Sequence, residues 1–272
     1  MDRRRFLLGM GAGVGLVSTG LPGLARASAR DDDSVRDYLY KIKNFDHHFP
    51  DDVYVSPEEM PLLESTVARL KRLLRFVGFG NFNLIGWDRA HYFARNYDAI
   101  GAFTRQESEW LEKIFYTDAR IYGFYGEKVI LRIDAAPRFK DVIKIPGSGH
   151  YLYRGEPLAY YRKIRRDVGN SVILTSGIRS VIKQTLLFLN KAHRNRGNLS
   201  LASRSLAPPG YSYHGVGDFD VGKVGLGKLN FTARFARTRE YHRLIELGYV
   251  RIRYTDDNPY GVRYEPWHIK IV

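Results

Sequence analysis

The stretch SYHGVGDFDVG at residues 212–222 decides how this sequence is interpreted. It contains one imidazole, His214, followed by two carboxylates, Asp218 and Asp220, which fall on the same side of an alternating chain. The glycines between them allow the backbone to pass close to other groups. By spacing alone, the pattern is a weak indication of a metal site, and it leaves open which carboxylate joins His214.

A second stretch, YEPWHI at residues 264–269, supplies the groups that the first one lacks. Pro266 keeps Glu265 in an extended conformation, and His268 follows at short range. Two imidazoles, a carboxylate and a nearby glutamate outside the ligand set are what a catalytic zinc ion requires. Three protein ligands leave a fourth position for water, and the glutamate takes the proton of that water.

Composition limits the chemistry, because none of the 272 residues is a cysteine. Disulfides, iron–sulfur clusters, thiolate zinc sites and cysteine nucleophiles are therefore excluded, and any metal must be held by His, Asp or Glu. We interpret His47 and His48 as part of a polar surface turn, because adjacent side chains on an extended chain point apart. Four further histidines are interpreted as surface or satisfied interior residues, namely His91, His150, His193 and His242.

The amino-terminal residues 1–29 are predicted to be an export signal rather than part of the fold. Arg3–Leu7 reads RRRFL, which is typical of a twin-arginine signal, and a Gly-rich apolar stretch follows it to about Leu24. Small residues at 25–29 suit a signal peptidase. The alternative is a single membrane anchor, for which this stretch is weakly hydrophobic and barely long enough.

Net charge is the next constraint, since the sequence carries 43 Lys and Arg against 29 Asp and Glu, or +14. Such a surface attracts polyanions in general. The basic residues are scattered rather than clustered, and an exported protein seldom meets nucleic acid. We therefore expect peptidoglycan or another anionic wall material as the partner, in the periplasm or at the cell wall. No feature of the sequence indicates the oligomeric state.

The pattern of apolar residues predicts two segments after the signal. Residues 30–150 are predicted to be mostly helical, with a helix from Ser56 to about Arg75 and another opened by a capping box at Thr104. Residues 151–272 are predicted to hold helices at 157–167, 179–193 and 231–247. The same segment has strands at 171–175, 249–254 and 261–272. The fold class is therefore α+β, with a small antiparallel sheet flanked by helices and a helical region before it.

Three motifs in this order resemble a known enzyme family. They are SGIRS at residues 176–180 with Gln184, then Ser212-x-His214-x-x-Gly217 with Asp220, then Glu265-x-Trp267-His268. Together they resemble the VanY-type D-alanyl-D-alanine carboxypeptidases, which belong to a wider group of zinc peptidases with lysostaphin-like enzymes and the hedgehog fold. The resemblance covers roughly residues 155–272.

The resemblance implies an exported peptidase with one Zn²⁺ per chain. His214, Asp220 and His268 would bind the zinc, Glu265 would be the general base, and Arg179 would stabilise charge near the reacting carbonyl. Three further residues correspond to substrate-contacting or pocket positions, namely Ser212, Gln184 and Trp267. The implied substrate is the D-amino-acid end of a peptidoglycan stem peptide. A murein endopeptidase, an LD-carboxypeptidase and a non-catalytic zinc-containing wall-binding protein stay open as alternatives.

One departure from the family pattern bears on the metal site. The family aspartate lies seven residues after the histidine, whereas Asp220 lies only six residues after His214. A contraction by one residue turns a strand side chain to the other face unless a bulge or turn compensates. Asp218 is therefore a rival ligand, and Asp220 is preferred because Asp220-Val221-Gly222 continues as the family does.

Overall fold

This computed structural model describes residues 34–258 and 260–272. The predicted signal at 1–29 lies outside them. Residues 37–272 form one compact unit. The helices are α1 (34–43), α2 (Met60–Val77), α3 (Phe79–Phe82), α4 (Trp87–Asn96), α5 (Arg105–Tyr116), α6 (Glu156–Val168), α7 (Val181–Arg194), α8 (Leu199–Ser203) and α9 (Arg239–Glu246). The strands are β1 (Val142–Lys144), β2 (Tyr151–Tyr153), β3 (Val172–Ser176), β4 (Phe219–Lys223) and β5 (His268–Ile269).

Two antiparallel sheets confirm the predicted α+β class. The strands β3, β4 and β5 form a three-stranded sheet with β4 in the centre, and β1 pairs with β2 in a hairpin. The hairpin was not predicted, because strands of three residues are too short to show alternation. Its turn contains the Gly- and Pro-rich segment 145–149, at which the two sequence segments were divided.

The two main apolar cores lie on either side of the site. One core joins α2, α4 and α5 to α7, and it includes Leu70, Trp110 and Phe188. The other packs α6 and α9 against the three-stranded sheet around Phe219. Because α7 belongs to the first core and the sheet to the second, residues at the start of α7 lie where the cores meet. No helix among residues 34–258 and 260–272 is long and apolar enough to cross a bilayer.

Two predicted helices differ from the structure. The helix expected from Ser56 begins at Met60, after a turn in which the Ser56 carbonyl accepts the Glu59 and Met60 amides. The helix predicted at 231–247 is confirmed only from Arg239, where the Thr238 hydroxyl caps it. Before that point, the Asn230 side chain bonds the backbone of Lys223 at the end of β4, which draws the chain out of helical geometry.

The two long carboxy-terminal strands are also much shorter than predicted. Only His268–Ile269 joins the sheet, and a single bridge links Ile252 to Ile269. Pro266 has no amide to donate, and the amides of Ile271 and Val272 bond Asp218 instead of a neighbouring strand. The carboxy-terminal segment is therefore held by side chains of the site as much as by a ladder.

A buried ion pair fastens the segment before α2 to α8. The Arg204 guanidinium binds Asp52 through both nitrogens, Nη1–Oδ1 at 2.6 Å and Nη2–Oδ2 at 3.1 Å, and both side chains are almost fully buried. Asp52 also accepts from the Asn198 amide at 2.7 Å. Removing one charge from such a pair leaves its partner buried without compensation.

We expect Asp52→Asn to lower the free energy of unfolding by about 3 kcal/mol, because Arg204 keeps its charge and loses its counterion. Urea denaturation followed by circular dichroism measures this. Asp98→Asn, at an exposed position, is the matched control and should change stability by less than about 0.5 kcal/mol. Equal effects of the two substitutions would contradict the prediction.

Candidate metal centre

Three elements bring together the residues that were predicted to bind a metal. His214 lies on a 3₁₀ turn (Tyr213–Gly215), Asp220 lies in β4, and His268 lies directly opposite Asp220 in β5. Paired positions on neighbouring strands project their side chains from the same face. One ligand atom from each residue lies within 4.8 Å of the other two, and all three side chains are buried.

The imidazole of His214 is oriented by the SGIRS motif. Its Nδ1 lies 2.8 Å from the Gly177 carbonyl oxygen, so this nitrogen donates and Nε2 carries the lone pair. Nε2 lies 3.2 Å from Asp220 Oδ1. A β-carbon at position 177 would lie 2.0 Å from the Tyr151 carbonyl oxygen, so only glycine allows the backbone to approach β2 this closely.

The imidazole of His268 is held between the two rival aspartates. Its Nε2 lies 3.0 Å from Asp218 Oδ2, and its Nδ1 lies 3.3 Å from Asp220 Oδ1. Asp218 also pairs with Arg253 at 2.6 Å and accepts the Ile271 amide. Asp218 is therefore engaged by His268 Nε2, Arg253 and the Ile271 amide, on the side of the His268 ring opposite Nδ1. Asp220 is the carboxylate that faces both histidines.

The short His–Asp spacing is compensated in the chain before β4, and the neighbouring strand carries a bulge beside Asp220. The register of β3 against β4 shifts between Leu174 and Ser176, which places Ser176 opposite Asp220. Between His214 and Asp220, the chain leaves the 3₁₀ turn and becomes extended only at Phe219. The contraction therefore leaves Asp220 on the side of the histidines.

The donor set fits a divalent cation such as zinc. Asp220 Oδ1 and His268 Nδ1 are buried atoms with no hydrogen-bond partner. His214 Nε2, His268 Nδ1 and one carboxylate oxygen of Asp220 face the same small space, and the other imidazole nitrogens are held by Gly177 and Asp218. Histidines held in this way, through the nitrogen opposite the metal, are a general feature of zinc sites.

The charges around this space differ from those of isolated side chains. Burial, with Arg179 nearby, lowers the pKa of His214 to about 4. Burial opposes charge on His268 as well, but the hydrogen bond to Asp218 and the negative charges of Asp218 and Asp220 outweigh it and raise the pKa of His268 to about 9. Burial also disfavours ionised Asp220, yet His214 and Arg179 lower the pKa of Asp220 below its usual range. The Asp220 carboxylate is thus kept in its anionic form.

Glu265 and Arg179 lie beside the three ligand residues. Glu265 Oε2 is 3.7 Å from His268 Nδ1, and burial raises the pKa of Glu265 to about 7, with Asp220 adding to the effect. Arg179 donates from Nη2 to Asp220 Oδ2 at 2.7 Å and from Nε to Ser176 Oγ at 2.9 Å. The carboxyl of Glu265 has no hydrogen-bond partner within the described part of the chain.

The predicted substrate-contacting residues occupy different places. A cavity of about 300 Å³ opens next to the ligand residues, and Ser212 and Trp267 line it. Gln184 does not line it. The Gln184 amide donates instead to the Ala207 carbonyl at 2.5 Å, and the side chain is 2% exposed. Because α7 turns Gln184 into the core, it holds the 205–207 loop rather than facing the cavity.

Several cavity residues were not predicted from the sequence. His150, interpreted as a surface or satisfied interior residue, lines the cavity and has a buried Nδ1 without a partner, because the β1–β2 hairpin carries it there. Burial lowers the pKa of His150 to about 4. Phe79 reaches the same cavity from α3, and Lys183, Tyr254 and Arg263 also line it. Only Lys183 had a local signal, since it lies between Arg179 and Gln184.

Comparisons with known proteins agree with the motifs. Residues 159–272 match the family model of VanY, D-alanyl-D-alanine carboxypeptidase, so the predicted resemblance is confirmed for this segment. Among solved structures, the chain is similar to the LdcB LD-carboxypeptidase, whose structure concerns peptidoglycan recognition. The identity is 23% and the TM-score 0.40, over 48% of this chain and 63% of that one, less than two thirds of its length. No curated protein matches the chain.

Proposed function

We propose that this protein is an exported zinc peptidase that hydrolyses an amide bond in peptidoglycan stem peptides, with D-alanyl-D-alanine carboxypeptidase activity as the first candidate. The observation that carries the proposal is the set of three buried ligand atoms within 4.8 Å of one another, with Glu265 beside them. The match of residues 159–272 to the VanY family supports the reaction class. The RRRFL motif at Arg3–Leu7 supports export.

The residues that would hold the metal are His214 through Nε2, Asp220 through Oδ1 and His268 through Nδ1. Zinc bound by three protein ligands supplies a Lewis acid that polarises a carbonyl and lowers the pKa of water. The protein orients both imidazoles, through the Gly177 carbonyl and the Asp218 carboxylate. Asp220 contributes the negative charge of the ligand set.

Glu265 is proposed to move the proton. As the water oxygen bonds to the carbonyl carbon, the Glu265 carboxylate accepts a proton from that water. The same proton then passes to the amide nitrogen as the carbon–nitrogen bond breaks, so the products are an amine and a carboxylic acid, which ionises by releasing its remaining proton to solvent. A largely buried carboxyl whose pKa burial raises to about 7 is suited to hold and release this proton near neutral pH.

Arg179 is proposed to stabilise the developing negative charge. Its guanidinium is anchored by Ser176 and Asp220, which fixes its position at the edge of the cavity. A guanidinium has five donors, so these two bonds leave others for the carbonyl oxygen of the substrate. A non-catalytic zinc-containing wall protein is disfavoured, because a purely structural site would not need Glu265 beside it.

The function is tested with purified muropeptides analysed by mass spectrometry. We expect cleavage by the zinc-loaded protein, no cleavage after treatment with a chelator, and recovery when zinc is added back. Loss of one residue from pentapeptide stems identifies the DD-carboxypeptidase. Loss of one residue from tetrapeptide stems identifies the LD-carboxypeptidase, and separation of cross-linked dimers an endopeptidase. Intact muropeptides with the zinc-loaded protein would contradict the proposal.

A further inference from the structure

Lys183 is a buried cation that faces the cavity and that the proposed mechanism does not use. It lies in the first turn of α7, where its amide donates to the capping hydroxyl of Ser180 at 3.2 Å. The side chain is 6% exposed and lines the same cavity as the predicted metal ligands. Lysine is rarely buried to this extent unless something pairs with its charge.

The ammonium of Lys183 has no anionic partner among residues 34–258 and 260–272. Its Nζ lies over two aromatic rings, 4.4 Å from the ring centroid of Phe79 and 5.8 Å from that of Phe82. Aromatic faces offset part of the cost of burying a cation, but they do not neutralise it. Burial, with a contribution from Arg179, lowers the pKa of Lys183 to about 8.

The balance of charge in the cavity calls for an anion. Three permanently or normally cationic side chains line it (Arg179, Lys183 and Arg263) against two carboxylates, Asp220 and Glu265. Asp220 is already bonded to Arg179. A bound divalent metal ion would make the excess of positive charge larger, so a substrate with its own negative charge would be favoured over a neutral one.

Part of the wall of the cavity that Lys183 lines is apolar. Leu187 lies one helical turn further along α7, and Leu206 and Ala207 follow on the loop that Gln184 holds. Phe79 closes the cavity from α3, outside the segment that matches the VanY family. This corner therefore combines one charged donor group with room for a short apolar side chain.

We infer that Lys183 Nζ binds the free C-terminal carboxylate of the peptide that enters the cavity, so that the site selects chain ends over internal bonds. The inference rests on the proposed peptidase function and adds its specificity. The terminal residue places its carboxylate at Lys183, its side chain against Leu187, Leu206 and Ala207, and its amide nitrogen towards Glu265. An internal peptide bond has no charge to offer at this position and would leave the ammonium buried and unpaired.

The test uses two synthetic stem peptides that differ only in the C-terminus, one a free carboxylate and the other a primary carboxamide. The ratio of kcat/KM for acid over amide is measured with the zinc-loaded wild type and with Lys183→Met, which keeps the length of the side chain and removes the charge. We expect this ratio to fall about 30-fold in Lys183→Met, because one partner of a buried charged hydrogen bond is lost. Lys183→Gln, which is polar and neutral, should give the same fall.

Lys140→Met is the matched control, because Lys140 is exposed and lies away from the cavity. It should keep the wild-type ratio. Thermal unfolding of each variant establishes that the Lys183 substitutions fold, and an uncharged side chain is expected to suit this buried position. An unchanged ratio in a folded Lys183→Met would overturn the inference while leaving the peptidase function in place.

Binding separates failure of the inference from failure of the proposed function. The dissociation constants of the same two peptides are measured by calorimetry on zinc-loaded protein carrying Glu265→Gln, with and without Lys183→Met. A preference for the acid that depends on Lys183, in a protein whose wild type cleaves neither peptide, would uphold the carboxylate site and refute the peptidase. Equal affinity for acid and amide would overturn the carboxylate site.

Discussion

Glu265→Gln is expected to lower kcat for stem-peptide hydrolysis by about 10³-fold, within the range attributed to general acid–base catalysis. Glutamine has nearly the same shape as glutamate but cannot accept a proton from water at neutral pH. Because Glu265 lies 3.7 Å from His268 Nδ1 and is not one of the three converging ligands, zinc should stay bound in the variant. Loss of activity with full retention of metal is the signature of a proton carrier.

Initial rates from mass spectrometry and zinc content from elemental analysis, measured on the same samples, check this prediction. Glu112→Gln, at an exposed position on α5, is the control and should keep wild-type activity. Activity of Glu265→Gln within about tenfold of the wild type would rule out Glu265 as the principal base, since general bases contribute at least about 10²-fold. Simultaneous loss of zinc would instead make Glu265 a ligand.

Asp220→Asn and Asp218→Asn form a matched pair that is expected to separate the ligand from its supporting residue. Asp220→Asn removes the anionic oxygen that faces both imidazoles. We expect zinc affinity to fall about 10³-fold, because each ligand contributes roughly a quarter of a typical zinc-binding free energy. Asp218→Asn leaves the three converging ligand atoms in place and disturbs the bond to His268 Nε2, the pair with Arg253 and the bonds from the Ile271 and Val272 amides. Changes of this kind cost about 10–100-fold in metal affinity.

Competition with a chromogenic chelator measures both affinities without any need for substrate. The predicted order is wild type, then Asp218→Asn, then Asp220→Asn, from tightest to weakest. The reverse order for the two variants would assign the ligand to Asp218 and would mean that the two carboxylates exchange places when the metal binds.

Much of the candidate site could be predicted from the sequence, because its residues lie in short motifs. His214 and Asp220 are separated by six positions, and Glu265 and His268 by three, so each pair was visible as a weak local pattern, and the resemblance to the VanY-type family joined the two pairs. The choice between Asp218 and Asp220 was harder. It depends on the 3₁₀ turn at Tyr213–Gly215, which interrupts the alternation of side chains before β4 begins at Phe219.

The cavity walls could not be predicted in the same way. His150 and Phe79 reach the site from the β1–β2 hairpin and from α3, at least 60 residues from His214 along the chain, through contacts that leave no periodic signal. The helix expected at 231–247 failed for a related reason. Its first half is apolar enough for a helix, but Asn230 satisfies the backbone at the end of β4 and Thr238 starts the helix later. Local propensity therefore determined neither which residues line the cavity nor where this helix begins.

The most direct test of a zinc centre formed by His214, Asp220 and His268 is the metal content of the wild-type protein, purified without chelators and assayed for muropeptide cleavage from the same preparation. We predict one zinc ion per chain, with cleavage that disappears as the zinc is removed and returns with it. Cleavage by protein that contains no metal, or a protein that takes up no zinc at micromolar concentrations, would contradict the assignment.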